Sequence, residues 1–92
     1  MKTIGLISDT HSYIDKSILD FFEDVDEIWH AGDIGSLEVV HKLENLKPLK
    51  AVFGNIDGTE MRMRFKEVER FQCENIDILL IHNFWNDSLV EE

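Results

Sequence analysis

Three short apolar runs in this chain break off abruptly into polar residues, and amphipathic stretches of helical length separate them. Residues 2–8 carry Ile4, Leu6 and Ile7 and give way to Asp9; residues 27–31 give way to Gly32-Asp33; residues 49–53 give way to Gly54-Asn55. A short apolar run closed by turn residues suits a buried strand. Between the first two runs, Ile14, Ile18, Leu19 and Phe22 recur at helical spacing among Asp20, Glu23, Asp24, Asp26 and Glu27, which predicts a helix over 14–22. Between the second and third, Leu37, Val40 and Leu43 form an apolar stripe. Gly35-Ser36 opens that helix, with Ser36 as its N-cap, and Pro48 marks its end. The order βαβαβ confines the chain to an α/β fold: a parallel sheet with right-handed crossovers.

The pattern changes after Gly58. Residues 65–73 alternate imperfectly, residues 76–81 are almost continuously apolar, and Glu74-Asn75 lies between them as a turn signal. An antiparallel hairpin is therefore expected, its second arm ending at His82. Trp29, Phe53, Phe65 and Phe71 are expected in the core. Cys73 reads as a small buried hydrophobe, since no histidine stands near it in sequence to activate it. His30 reads as a packed strand histidine in preference to a group that orients a metal ligand. His41 falls on the solvated face of the second helix.

Length and charge set further bounds. Ninety-two residues make one domain at most, and a hydrophobic fraction of 43% argues against disorder. No apolar run approaches the ~20 residues of a membrane span. The N-terminus lacks the apolar segment of a secretion signal, because residues 4–7 are too few and Asp9 follows at once. With Cys73 as the only cysteine no internal disulfide can form, and a reducing cytoplasm is the simplest setting. A net charge of −10 disfavours nucleic acid and anionic membranes as partners. Bound cations would offset part of that charge.

Such cations have candidate ligands. Asp9 and His11 are two apart, so in an extended segment both side chains point the same way and could converge on one ion. Asp33 follows a glycine that permits a sharp turn, and its two oxygens could bridge cations about 3.5–4 Å apart. Asn55 offers a neutral oxygen inside Gly54-Asn55-Ile56-Asp57-Gly58, and His82 ends the last apolar run. Each motif alone also reads as an ordinary capping or turn sequence. Their recurrence at successive strand ends carries the weight, because the crevice of a parallel sheet opens at the carboxyl ends of its strands. Two carboxylates, two imidazoles and an amide oxygen suit Mn²⁺, Zn²⁺ or Fe better than Ca²⁺.

The ordered set Asp9-x-His11, Gly32-Asp33, Gly54-Asn55-x-Asp57 and His82 resembles the calcineurin-like metallophosphoesterase superfamily, and most of all its compact phosphodiesterase branch. The resemblance covers residues 1–82. It implies an αββα sandwich, of which this chain looks like the N-terminal half. It also implies two divalent metals, Mn²⁺ first and Zn²⁺, Fe or Ni²⁺ as alternatives, that activate a water for in-line attack on a small phosphate ester. Carried over by motif, Asp9 and His11 hold the first metal, Asp33 bridges both, and Asn55 and His82 bind the second. Asp33, Asn55 and Asp57 are then the residues expected to serve catalysis.

Two departures qualify that picture. Many relatives carry a histidine where Ile56 stands, and it assists the leaving group or binds phosphate. Without it, phosphodiesters with good leaving groups are expected to be favoured over alkyl monoesters. The family's Gly-His-x-His motif, one ligand to each metal, does not occur, and Asn83-Phe84-Trp85-Asn86 replaces a glycine-containing loop. Residues 83–92 are thus read as an atypical tail and the chain as truncated, frame-shifted or a fragment. The alternative is a non-catalytic interaction scaffold, a use known for the retromer subunit that shares the fold. A third expectation is a truncation product whose exposed apolar surface, with Phe84 and Trp85, drives it to homo-oligomerise.

Overall fold

A computed structural model of the chain describes residues 2–82; the tail at 83–92, with Phe84 and Trp85, lies outside them. The three apolar runs become β1 (Ile4–Ile7), β2 (Glu27–His30) and β3 (Leu49–Ala51). They form a parallel sheet in that order, with Gly5 opposite Ile28 and Ile28 opposite Leu49. β3 is shorter than residues 49–53 because the backbone changes partner. Val52 bridges to Lys66, and the Phe53 N–H donates to the Lys66 carbonyl at 3.1 Å.

The first crossover holds α1 (Lys16–Phe21), which starts later than residue 14. Asp15 caps it, its Oδ1 accepting the Ile18 N–H at 3.1 Å, and its end tightens into a 3₁₀ turn over Phe22–Asp24. The second crossover holds α2 (Leu37–Leu46), with Val39, Val40 and Leu43 buried. Ser36 occupies the expected N-cap position, yet its Oγ makes no capping bond.

One helix was not expected. Between the sheet and the hairpin lies α3 (Thr59–Arg64). Of its six residues only Met61 is buried, so no apolar period marks it in the sequence. Arg62 and Arg64 in its last turn suit the negative end of the helix dipole. The hairpin follows as β4 (Val68–Cys73) and β5 (Ile76–Ile81), with Phe71 opposite Ile78. Glu74 and Asn75 both have positive φ, 52° and 72°, the signature of a two-residue type I′ turn.

Strand alternation sorts the layers. Ile28 and Ala51 face the helices, where they join Phe22, Val39, Val40, Leu43 and Met61 in the main core. Ile28 and Leu43 are fully buried, each worth roughly 1.5–3 kcal/mol in removed apolar surface. Trp29 faces the other way and meets Phe71 of the hairpin edge-on, with ring centroids 4.9 Å apart. Helices, parallel sheet and hairpin therefore stack as successive layers. On the hairpin side Glu27 is buried but satisfied, accepting from Lys50 Nζ at 2.8 Å, Trp29 Nε1 at 3.0 Å and Lys2 Nζ at 3.2 Å. Trp29, Phe53, Phe65 and Phe71 are each half-buried rather than central, and Cys73 is half-buried on the hairpin. Among the described residues no helix is long and apolar enough to cross a membrane.

Candidate metal centre

Parallel pairing continues past the strand ends and sets the site. Ala31 N–H donates to the Ile7 carbonyl at 2.9 Å, Asp9 N–H to Gly32 at 2.9 Å, His11 N–H to Asp33 at 3.0 Å, and Ser12 N–H to Ile34 at 2.8 Å. The loop after β1 is thus zipped along the loop after β2. Asp9, His11, Ser12 and Asp33 all hold positive φ, 58°, 47°, 72° and 58°, a left-handed conformation that L-residues other than glycine adopt at a cost. Three of these four carry candidate metal-binding side chains.

Four side chains converge. Asp33 Oδ2 lies 3.2 Å from His82 Nε2 and 3.6 Å from His11 Nε2. Asp9 Oδ1 lies 3.7 Å from His11 Nε2 and 4.0 Å from His82 Nε2. Ligand atoms held at about 2.1 Å around a tetrahedral or octahedral ion stand roughly 3.0–3.5 Å apart, and these four carboxylate–imidazole distances fall at or somewhat beyond that range. Asp9, Asp33 and His82 each offer an atom within 4.8 Å of the others. Asp33 is almost buried, whereas Asp9 and His11 are open to solvent, so the cluster is anchored on one side and accessible on the other.

Local chemistry prepares these donors. His82 Nδ1 donates to the Ala31 carbonyl at 2.8 Å, since a carbonyl can only accept; a neutral ring then presents its Nε2 lone pair to the carboxylates. The Ser8 hydroxyl donates to Asp9 Oδ2 at 2.8 Å and, against partial desolvation, holds that carboxyl below its usual range. Asp33 Oδ1 accepts the Ile56 N–H at 3.0 Å. Gly54 passes so close that a Cβ there would fall on the Asp33 carboxylate and backbone nitrogen.

Behind the ligands His30 is fully buried. Its Nδ1 accepts the Gly32 N–H at 3.0 Å, so Nε2 carries the proton and donates to Thr10 Oγ1, also at 3.0 Å. Thr10 in turn donates to the Ile34 carbonyl at 2.8 Å. Burial pushes the His30 imidazole down to about 4, outweighing the nearby carboxylates. It is a packed strand histidine, and it ties together the loops that carry Asp9, His11 and Asp33.

Asn55 stands exposed on the next loop and shares a small cleft with His82, Phe53, Gly54, Arg62 and Glu67. Asp57 is placed differently from the other sequence candidates. Its buried carboxylate accepts backbone N–H groups from Gly54 at 2.8 Å, Gly35 at 2.8 Å and Ile34 at 3.1 Å. Burial raises that group and these donors more than offset it, leaving its pKa lowered. Asp57 thus clamps the Asn55 loop to the Asp33 loop. Sequence reasoning missed this clamp and Arg62; an Asp-Gly pair beside two further glycine turns was the available hint. His41 is exposed, as expected of the solvated face.

The family model described as calcineurin-like phosphoesterase superfamily domain matches residues 1–92. A probable metallophosphoesterase of Methanothermobacter thermautotrophicus is 44% identical over 78 residues, covering 75% of this chain and 45% of the relative. A probable metallophosphoesterase of Methanocaldococcus jannaschii is 37% identical over 84 residues, covering 86% and 42%. A phosphodiesterase of the same organism is 35% identical over 66 residues, covering 66% and 40%. The chain therefore spans less than half the length of these relatives. Among solved structures, Vps29 of Entamoeba histolytica superposes with a TM-score of 0.74 at 22% identity, covering 91% of this chain and 52% of that one. Vps29 of Chaetomium thermophilum superposes with a TM-score of 0.72 at 14% identity, covering 86% and 45%. At those identities the likeness speaks for the fold alone.

Proposed function

The chain belongs to the calcineurin-like phosphoesterase superfamily, and on that footing we propose that it is the metal-binding part of a phosphodiesterase acting on a small phosphate ester. The observation that carries this reading is that the His11 and His82 imidazoles each stand within 4.0 Å of both the Asp9 and the Asp33 carboxylates. Carboxylates packed against imidazole lone pairs repel unless a proton or a cation stands among them, and two imidazoles with two carboxylates suit Mn²⁺, Zn²⁺ or Fe.

In this reading Asp9, His11 and Asp33 would hold one divalent ion. Asn55 and His82 offer donors on the cleft side for a second, with Asp33 between, and its remaining ligands come from outside this set. Such ions, when bound, lower the pKa of a coordinated water and neutralise charge on phosphoryl oxygens. The chain's own part is orientation. Ala31 fixes the His82 tautomer, Ile56 N–H pins Asp33 Oδ1, and Asp57 holds the Asn55 loop. Ile56, half exposed at the site, cannot donate a proton to a leaving group. Aryl diesters are therefore the better substrates. The lone Cys73 fits a cytoplasmic setting.

Hydrolysis of an aryl phosphodiester by the chelator-stripped chain, with and without added Mn²⁺, tests the proposal. Activity that requires Mn²⁺ and disappears in Asp33→Ala supports it; activity retained in Asp33→Ala refutes it. Ile56 in place of a histidine favours a second reading, a binding scaffold that keeps the fold. Metal binding without turnover of any diester selects that reading.

A further inference from the structure

Among the described residues Arg62 is the one lysine or arginine lining the cleft shared by Asn55 and His82. Its guanidinium is held on two sides. Nε donates to the Asp57 carbonyl at 2.7 Å, and Nη2 reaches the Gly54 carbonyl at 3.4 Å and that of Asn55 at 3.5 Å. Its guanidinium carbon lies over the Phe53 ring, 4.4 Å from the centroid. An arginine fixed this way has already lost most of its rotamer freedom, so a further hydrogen bond costs little extra ordering. Among the described residues Nε and Nη2 carry these bonds, which leaves Nη1 to meet a ligand.

The cleft measures about 50 Å³. A water needs only about 10–15 Å³ of such space, so the cleft has room for the oxygen atoms of a bound group. It opens beside His82, whose Nε2 faces the Asp33 carboxylate. An ester whose phosphorus sits over the carboxylate–imidazole cluster could extend a non-bridging oxygen into it. Arginine suits that task through its planar set of donors. Glu67 lines the same cleft, and its negative charge works against a dianion there.

We propose that Arg62 is the phosphate-binding residue of this site, donating to a non-bridging oxygen in the cleft between Asn55 and His82, and that Glu67 biases the cleft toward singly charged diesters. This rests on the phosphoesterase reading for the identity of the substrate but not for the anion site itself.

The test is a titration of the purified chain with inorganic phosphate, with Mn²⁺ and after chelator treatment, in wild type, Arg62→Lys, Arg62→Gln and Glu67→Gln. Melting temperatures and Mn²⁺ affinities are measured alongside. Arg62→Gln is expected to weaken phosphate binding about tenfold, the worth of one charge-assisted hydrogen bond. Arg62→Lys keeps the charge, loses the fork and recovers part of that loss, while Glu67→Gln binds phosphate more tightly than wild type. Mn²⁺ affinity is expected to stay the same in all four. Wild-type affinity in both Arg62 variants, or no phosphate binding by wild type in either condition, overturns the proposal. Unchanged phosphate binding in Glu67→Gln removes Glu67 from it. Should wild type bind no Mn²⁺, the metal reading fails, and the metal-free titration still decides the role of Arg62.

Discussion

His82 Nε2 stands 3.2 Å from Asp33 Oδ2, and the ring is turned into that position by its Nδ1–H bond to the Ala31 carbonyl. The last strand of the hairpin and the second strand of the parallel sheet meet at this pair, although 49 positions separate the two residues in sequence. Removing the imidazole deletes one donor and leaves the others in place. His82→Ala is expected to weaken Mn²⁺ binding by at least about tenfold with little change in melting temperature, read by calorimetry and thermal denaturation.

Gly54 is a second point of control. A methyl group there would strike the Asp33 carboxylate and its backbone nitrogen, so Gly54→Ala must displace the loop or the ligand. The expected cost is about 1–3 kcal/mol of stability, together with loss of metal affinity. Urea denaturation and Mn²⁺ titration of the same variant measure both.

Asp57 makes three backbone hydrogen bonds from a buried carboxylate. Asp57→Ala orphans the N–H groups of Ile34, Gly35 and Gly54 together and is expected to cost about 3 kcal/mol, measured by chemical denaturation. Its folded pKa is lowered, so its contribution is present above the ordinary carboxylate range and is lost as pH falls through the depressed value.

The metal-free chain should lose stability well before that, through His30. Burial lowers its folded pKa from 6.5 to about 4, so the unfolded chain takes up a proton first as pH falls. The neutral ring's contribution is complete above 6.5 and declines between 6.5 and about 4. A loss of about 2 kcal/mol is expected at pH 5 relative to pH 7.5, absent in His30→Gln, as read from urea midpoints in the presence of chelator.

Much of this was legible before any coordinates. The parallel order of β1, β2 and β3 followed from three apolar runs with amphipathic stretches between, because buried parallel strands have little choice of composition. The crevice at the carboxyl ends of the strands pointed to Asp9, His11, Asp33, Asn55 and His82, but Asp9 and His11 hold positive φ, 58° and 47°, instead of the extended backbone expected of them. The boundaries were harder. Residues 52 and 53 read as strand because they are apolar, but they pair onward toward Lys66. Helix α3 left no trace because Met61 alone turns inward. Asp57 resembled the other site residues in sequence, and only the folded loop shows its oxygens meeting backbone N–H groups. Arg62 was invisible for a related reason: its partners are carbonyls and an aromatic face, which no motif records.

The most direct test of the account is calorimetric titration of the chelator-stripped chain with Mn²⁺, in wild type and Asp33→Ala. The four converging side chains predict saturable binding of at least one ion by wild type, abolished in Asp33→Ala while the fold survives. Wild type that binds no Mn²⁺, Zn²⁺ or Fe²⁺, or an Asp33→Ala chain that binds as tightly as wild type, would contradict it.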